Sequence, residues 1–125
     1  MADIARNTHH ALDYVELPVT DFDAVKAFYG DAFGWRFTDY GPGPAYVGIR
    51  GASGDTAEVG GFRKEDQVTP GGPLVLLYST DLEASLRAVR EAGGEITQEP
   101  FDFPGGRRFH FRDPAGNELG VWTAA

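Results

Sequence analysis

His110 stands in the run RRFHFRD, with Arg107, Arg108 and Arg112 around it. An imidazole can hydrogen-bond a ligand or act as a general base near neutral pH. Two glutamates among apolar neighbours, Glu16 in YVELPV and Glu118 in NELGVW, are the carboxylates best suited to join it. Imidazole and carboxylate together are also what a divalent metal takes. The chain has no cysteine, which excludes disulfides and thiolate metal sites. Ser53, Ser79 and Ser85 have no triad context, and no phosphate loop is present. His9 and His10 precede the first strand and read as a terminal pair.

The net charge is −8, from 11 basic and 19 acidic residues. That excludes a nucleic-acid backbone as partner, which needs a basic face. It suits either a cationic small molecule or simple solubility. No apolar run approaches the roughly 18 to 20 residues of a membrane helix. The opening MADIARNTHH lacks the basic-then-apolar layout of a signal peptide, so a cytoplasmic protein without membrane contact is expected. The 17 glycines and 8 prolines imply many tight turns and short elements.

Those elements are written twice. TDFDA at 20 to 24 returns as TDLEA at 80 to 84, an offset of 60. At that offset Val15 and Leu17 fall on Val75 and Leu77, Gly34 on Gly94, and Glu58-Val59-Gly60 on Glu118-Leu119-Gly120. Phe62 falls on Trp122, and Arg50 on His110. A constant offset over about 50 residues marks a repeated supersecondary unit. Each unit opens with an alternating strand, YVELPV or LVLLYS. Thr-Asp then offers a helix N-cap. Phe22, Val25, Phe28, Tyr29 and Ala32, then Leu82, Leu86, Val89 and Ala92, recur at helical spacing. Gly34 and Gly93-Gly94 are helix stops. Three strands follow in each unit, at about 35–40, 44–50 and 57–63, and at about 95–101, 107–112 and 117–123. The expectation is one domain over 1–125, with repeats at about 12–63 and 73–123 joined by the polar RKEDQVTPG.

VTDFDAVKAFYGDAFGW at 19 to 35 and FRDPAGNELGVW at 111 to 122 resemble the vicinal oxygen chelate superfamily, which includes glyoxalases, bleomycin-resistance proteins and dioxygenases. The family's helix commonly ends in Phe-Tyr and a Gly-Trp, and its last hairpin in Asp-Pro-x-Gly-Asn. The resemblance spans residues 12 to 123. It implies an α+β fold of two βαβββ modules, each curling into a half-barrel sheet with a concave pocket and helices outside. It is specific for fold and weak for reaction.

Strand parity then sorts the side chains. Val15, Leu17 and Val19 suit the helix side, leaving Tyr14 and Glu16 to the concavity. The same parity sends Leu74, Leu76 and Tyr78 there, with Phe62, Trp122, Arg108 and His110. Metal-dependent members place His, Glu or Gln at four symmetric slots, which fall here on Tyr14, Gly60, Leu74 and Gly120. No metal and no cofactor is therefore expected, although a displaced set from Glu16, Glu118, His110, His9 and His10 stays open. His110 is the best catalytic candidate, at a position that resembles a substrate-contacting tyrosine of the fosfomycin-resistance enzymes. It is equally read as a strand histidine bonded to a carboxylate. Glu16 is read as half of an ion pair with Arg50 or Arg36, or as a ligand contact. Glu58 and Glu118 are read as rim or hairpin residues. The resemblance implies a homodimer binding a small organic ligand through Tyr14, Glu16, Arg50, Phe62, Leu74, Leu76, Tyr78, Arg108, His110 and Trp122. A metal-dependent lyase or dioxygenase, and a non-catalytic structural role, are the alternatives.

Overall fold

A computed structural model describes residues 8–41, 46–52 and 57–125. Ser53 and the first two residues of the strand expected at 44–50 lie outside the described residues. The first half runs β1 (Val15–Val19), α1 (Phe22–Phe33), β2 (Arg36–Tyr40), β3 (Tyr46–Gly51) and β4 (Gly60–Lys64). The second runs β5 (Val75–Tyr78), α2 (Leu82–Glu91), β6 (Glu95–Phe103), β7 (Gly106–Arg112) and β8 (Glu118–Ala124).

Local chemistry sets the helix limits. Asp21 and Asp81 have extended backbones, and their carboxylates accept from Ala24 N at 3.2 Å and Ala84 N at 3.1 Å. Each thereby satisfies a donor that the first turn leaves orphaned. At the other end Gly34 takes φ 72°, and its N–H bonds Gly30 O at 2.9 Å. That left-handed turn suits a residue without Cβ. Gly93, at φ 98°, ends α2 in the same way.

The strands form two open four-stranded mixed sheets of matching order, β1-β4-β3-β2 and β5-β8-β7-β6. In each the first strand pairs parallel with the last, and the other pairings are antiparallel. With the two helices this is an α+β fold. One face of each sheet buries its alternate residues: Leu17, Val19, Val47, Ile49 and Phe62 in the first, Phe109, Phe111, Leu119 and Val121 in the second. The helices meet these faces through Val25, Phe28 and Tyr29, and through Leu82, Leu86 and Val89.

The core crosses between the halves. Phe28 and Phe33 of α1 lie 5.8 and 5.7 Å from the Phe111 ring of β7. Buried Tyr29 donates its hydroxyl to Asp113 Oδ2 at 2.7 Å. Asn117 Nδ2 donates to Pro18 O at 2.7 Å. The Asp-Pro-Ala-Gly-Asn turn thus fastens the second sheet to the first helix and strand.

Register corrects the constant offset of 60. Leu17 pairs with Phe62, whereas Leu77 pairs with Val121. Phe62 therefore corresponds to Val121, an offset of 59, and it is Arg63 that corresponds to Trp122. One strand further, Gly61 pairs with Gly48 and Gly120 with His110. The counterpart of His110 is thus Gly48, an offset of 62, and the counterpart of Arg50 is Arg112. Unequal loop lengths produce the drift, and one residue of drift turns a side chain to the other face of a strand. Phe62 does not face the concavity. It is 0% exposed and packs 5.8 Å from Tyr29 and 5.7 Å from Phe37.

Among the described residues no helix is long and apolar enough to cross a membrane.

Candidate functional site

The faces turned away from the helices are concave and chemically unlike. On the first sheet the ladder aligns Glu16, Gly61, Gly48 and Thr38 in one row, and Pro18, Arg63, Tyr46 and Tyr40 in the next. Glycine at 48 and 61 leaves space that larger neighbours fill. A Cβ on Gly48 would lie 2.1 Å from Glu58 Oε1, and one on Gly61 would lie 2.0 Å from the Tyr46 hydroxyl. Glu58 is therefore not a rim residue, because its carboxylate lies over Gly48.

Around it runs a phenol and carboxylate network. Tyr14 donates to Glu58 Oε2 and Tyr40 to Oε1, each at 2.7 Å. The Tyr14 and Tyr46 hydroxyls are 3.0 Å apart, and Tyr46 donates to Glu16 Oε2 at 2.9 Å. Glu16 Oε1 sits 3.6 Å from Arg63. The cation beside Glu16 is thus Arg63, not the expected Arg50 or Arg36. Arg63 comes through the one-residue shift of β4. Arg50 has a buried Nε with no hydrogen-bond partner among the described residues.

Partial desolvation raises the Tyr14 pKa above the ordinary phenol value, although the residue is 40% exposed, and the bonds to Glu58 and Tyr46 add to it. Burial also raises Tyr46, helped by Glu16. Both phenols stay protonated donors. Glu58→Gln is expected to bring the Tyr14 titration down toward 10 without restoring it fully, because burial is the larger cause. Absorbance titration of the phenolate band, compared with Tyr14→Phe, reads this directly.

On the second sheet the corresponding rows are Leu76, Gly120, His110 and Gln98, and Tyr78, Trp122, Arg108 and Phe101. Tyr78 meets Trp122 edge-on at 5.1 Å. The Arg108 guanidinium lies 5.3 Å from the Phe101 ring and 5.0 Å from the Phe103 ring, a cation–π contact with each. His110 is 6% exposed. Its Nδ1 is 3.4 Å from Glu118 Oε2, which also accepts from Thr97 Oγ1 at 3.1 Å. Glu118, which pairs with Arg112 at the start of the β7–β8 hairpin, is thus also a partner of His110. His110 Nε2 is buried without a partner among the described residues.

Among the described residues, two of the cavities beside these groups border Glu118. One of about 370 Å³ lies where β1 and β8 approach, bordered by Glu16, Arg63, Thr69, Asn117 and Glu118. The other, about 270 Å³, is bordered by Gly71, Gly72, Leu74, Gln98, His110 and Glu118. The polar joining segment thus bounds both cavities, through Thr69 and Gly71.

Among the described residues the donors do not converge as a metal site requires. Among the described residues no group of three or more His, Asp or Glu gathers around one point. Glu16 and Glu118 border one cavity, and His110 and Glu118 the other. His9 and His10 stack on each other at 3.8 Å, exposed and outside both cavities. The register shift moves the fourth-strand slot from Gly60 to Gly61, but Gly61 and Gly120 are equally without a donor.

Of the residues expected at the site, Tyr14 and Glu16 meet in the first network, apart from Leu76, Tyr78, Arg108, His110 and Trp122 on the second sheet. Leu74 borders the His110 cavity, and Phe62 is in the core. Tyr40, Arg63, Gln98, Phe101 and Phe103 join the site unannounced by the repeat, which did align Glu58 with Glu118. For Glu58 and Tyr46 the signal was the glycine opposite each. For Phe101 no signal was available, because the β6 register shifts between Gln98 and Phe101.

The two open sheets, matched in order and hollow on the side away from the helices, define a paired-module pocket protein. This chain belongs to the Glyoxalase/Bleomycin resistance protein/Dioxygenase superfamily, whose family model matches residues 11–121. CFP32 of Mycobacterium tuberculosis, named as a candidate glyoxylase, is 29% identical over 120 residues. That match covers 90% of this chain but 45% of the relative, so the chain spans under half of that protein's length. A glyoxylase-like domain-containing protein of Didymella fabae is 28% identical, covering 92% of this chain and 94% of its own. Among solved structures, the antibiotic binding protein TnmS3 from Streptomyces sp. CB03234 has a TM-score of 0.72 and 21% identity, covering 95% of this chain and 100% of its own. A family enzyme from Burkholderia phytofirmans PsJN has a TM-score of 0.73 and 19% identity, covering 91% and 98%. These structural likenesses concern the fold.

Proposed function

We propose that this chain binds a small, flat organic molecule, without a metal, in pockets formed where the concave faces of two copies meet. One observation carries the reading. Among the described residues the concave faces expose aromatic and aliphatic side chains: Tyr14 at 40%, Leu76 at 38% and Tyr78 at 56%. Apolar groups held open beside a few fixed polar groups are the make-up of a ligand site. TnmS3, of like fold, is named for binding an antibiotic, which supports the ligand class. The metal-free part rests on the donor set.

Metal analysis after purification without chelator is expected to find far less than one metal per chain. Stoichiometric zinc, nickel, manganese or iron would overturn that part. In a thermal-shift screen over flat cationic and phenolic compounds, a binder raises the melting temperature with concentration, worth about 2.7 kcal/mol at a hundred times Kd. A flat response across such a library would sink the binding reading. Light scattering is expected to give a dimer.

A second reading, an enzyme with His110 as general base, is favoured by the His110–Glu118 contact alone. Turnover of any compound found in the screen, abolished by His110→Asn, would replace the first reading by this one.

A further inference from the structure

The inward row of β7 has an unusual property. Arg108 Nε, His110 Nε2 and Arg112 Nε are each buried and each lack a hydrogen-bond partner among the described residues. They stand at successive inward positions of one strand, about 6 to 7 Å apart. A buried polar atom left unpaired costs about 1 to 3 kcal/mol. Of the three residues, His110 is the one that borders the 270 Å³ cavity, where a partner from outside can approach its ring.

The chemistry of that partner follows from the neighbours. A carboxylate only accepts, so Glu118 Oε2 at 3.4 Å selects the tautomer with the proton on His110 Nδ1. Nε2 of the neutral ring is then a bare acceptor. It calls for a donor, whereas the two flanking Nε–H groups call for acceptors. The space beside it is bounded by Leu74 and Gln98, and Phe101 stands edge-on 5.7 Å from the imidazole. Leu74, Pro73 and Phe101 offer apolar surface to a flat ring, beside the polar Gln98 and Glu118. The His110 side chain is 8% exposed, so such a contact is desolvated and strong.

We infer that His110 Nε2 accepts a hydrogen bond from an acidic hydroxyl on a flat aromatic ligand held in this cavity. The inference rests on the small-molecule reading and narrows it to phenol-like or enol-like compounds carrying nitro, carbonyl or carboxylate oxygens. The proton of the ligand hydroxyl is shared with Nε2. When it moves across, the ligand oxygen becomes anionic and the imidazolium stands between it and Glu118. The guanidiniums on either side favour that charge. The ring is not consumed, so the complex is one of binding.

The probe is 4-nitrophenol, with 4-nitroanisole as its O-methyl control, titrated into the full chain as purified. The pH is set where free 4-nitrophenol is mostly protonated. We expect 4-nitrophenol to bind with its absorption band moved toward that of the phenolate. The anisole should bind about tenfold more weakly, one hydrogen bond's worth. His110→Phe should cost the phenol a similar factor and abolish the band shift while leaving the anisole unchanged. His110→Asn serves where the phenylalanine variant fails to fold, and circular dichroism decides which is used. Equal binding of phenol and anisole, indifference to both His110 variants, or no binding of either compound overturns the inference. The broader reading fails separately. A screening hit that ignores His110 leaves small-molecule binding standing and this assignment lost.

Discussion

Asp113→Ala is expected to lower the melting temperature by about 10 °C, the equivalent of about 3 kcal/mol in a chain of this size. Asp113 is 4% exposed. Its Oδ1 accepts from Ala115 N and Asn117 N, each at 2.9 Å, and its Oδ2 from Tyr29 at 2.7 Å. Alanine leaves three donors without that acceptor, each worth about 1 to 3 kcal/mol when stranded. Relief of the buried carboxylate's desolvation offsets part of the loss. Burial raises the Asp113 pKa above its ordinary 3.8, against the lowering pull of Tyr29 and Asn117. A raised acid pKa means that the native state holds its proton more tightly than the unfolded chain. This contribution is fully present below pH 3.8 and is lost as pH rises through the folded value. Asp113→Asn removes it, so that variant should compare more favourably with the parent at pH 7 than at pH 4. Tyr29, raised well above 10 by burial and by Asp113, acts at the other end. Its stabilisation is complete below pH 10 and is lost as pH rises beyond. Calorimetry across pH reads both. An Asp113→Ala variant as stable as the parent would show that the turn does not fasten the two halves.

That junction also marks where the sequence was informative. Asp-Pro-Ala-Gly-Asn announced a hairpin and a family. Nothing in its spacing announced that Asp113 would reach Tyr29, 84 positions away. Period and capping chemistry are local, so Asp21, Asp81, Gly34 and the buried stripes of both helices were legible. Register is not local. A constant offset of 60 placed the first strands correctly and the fourth strand of the first module one residue out, enough to turn Phe62 from core to pocket. The same shift brought Arg63 rather than Arg50 beside Glu16, and a separate two-residue drift in β3 made Gly48 rather than Arg50 the counterpart of His110. His110 itself survived, because parity within its own strand is enough to turn it inward. The tyrosine network stayed hidden because it depends on what glycines leave open across three strands.

Those glycines give the second large effect. Gly60→Ala is expected to cost about 3 kcal/mol, the upper end for overpacking a filled site. Its Cβ would lie 2.2 Å from Val15 O, a backbone atom held in the β1–β4 ladder. Relief requires the strands to part. At Gly120 the Cβ would lie 2.5 Å from Leu76 Cδ2 and 3.2 Å from His110 Cδ2. Leu76 is 38% exposed and can rotate away, so Gly120→Ala should cost under about 1.5 kcal/mol. It should instead disturb His110 and weaken any ligand held there. Denaturant titration and ligand titration of the two variants separate the effects, and equal stabilities would refute the contrast. The pair also bears on metal chemistry. A donor at one of these glycine positions needs a Cβ: the β1 backbone bars it at Gly60, whereas at Gly61 and Gly120 it would have to displace the Tyr46 hydroxyl or the movable Leu76 side chain. Packing thus opposes a ligand most firmly at Gly60, where the obstacle is strand backbone and not a side chain that can move.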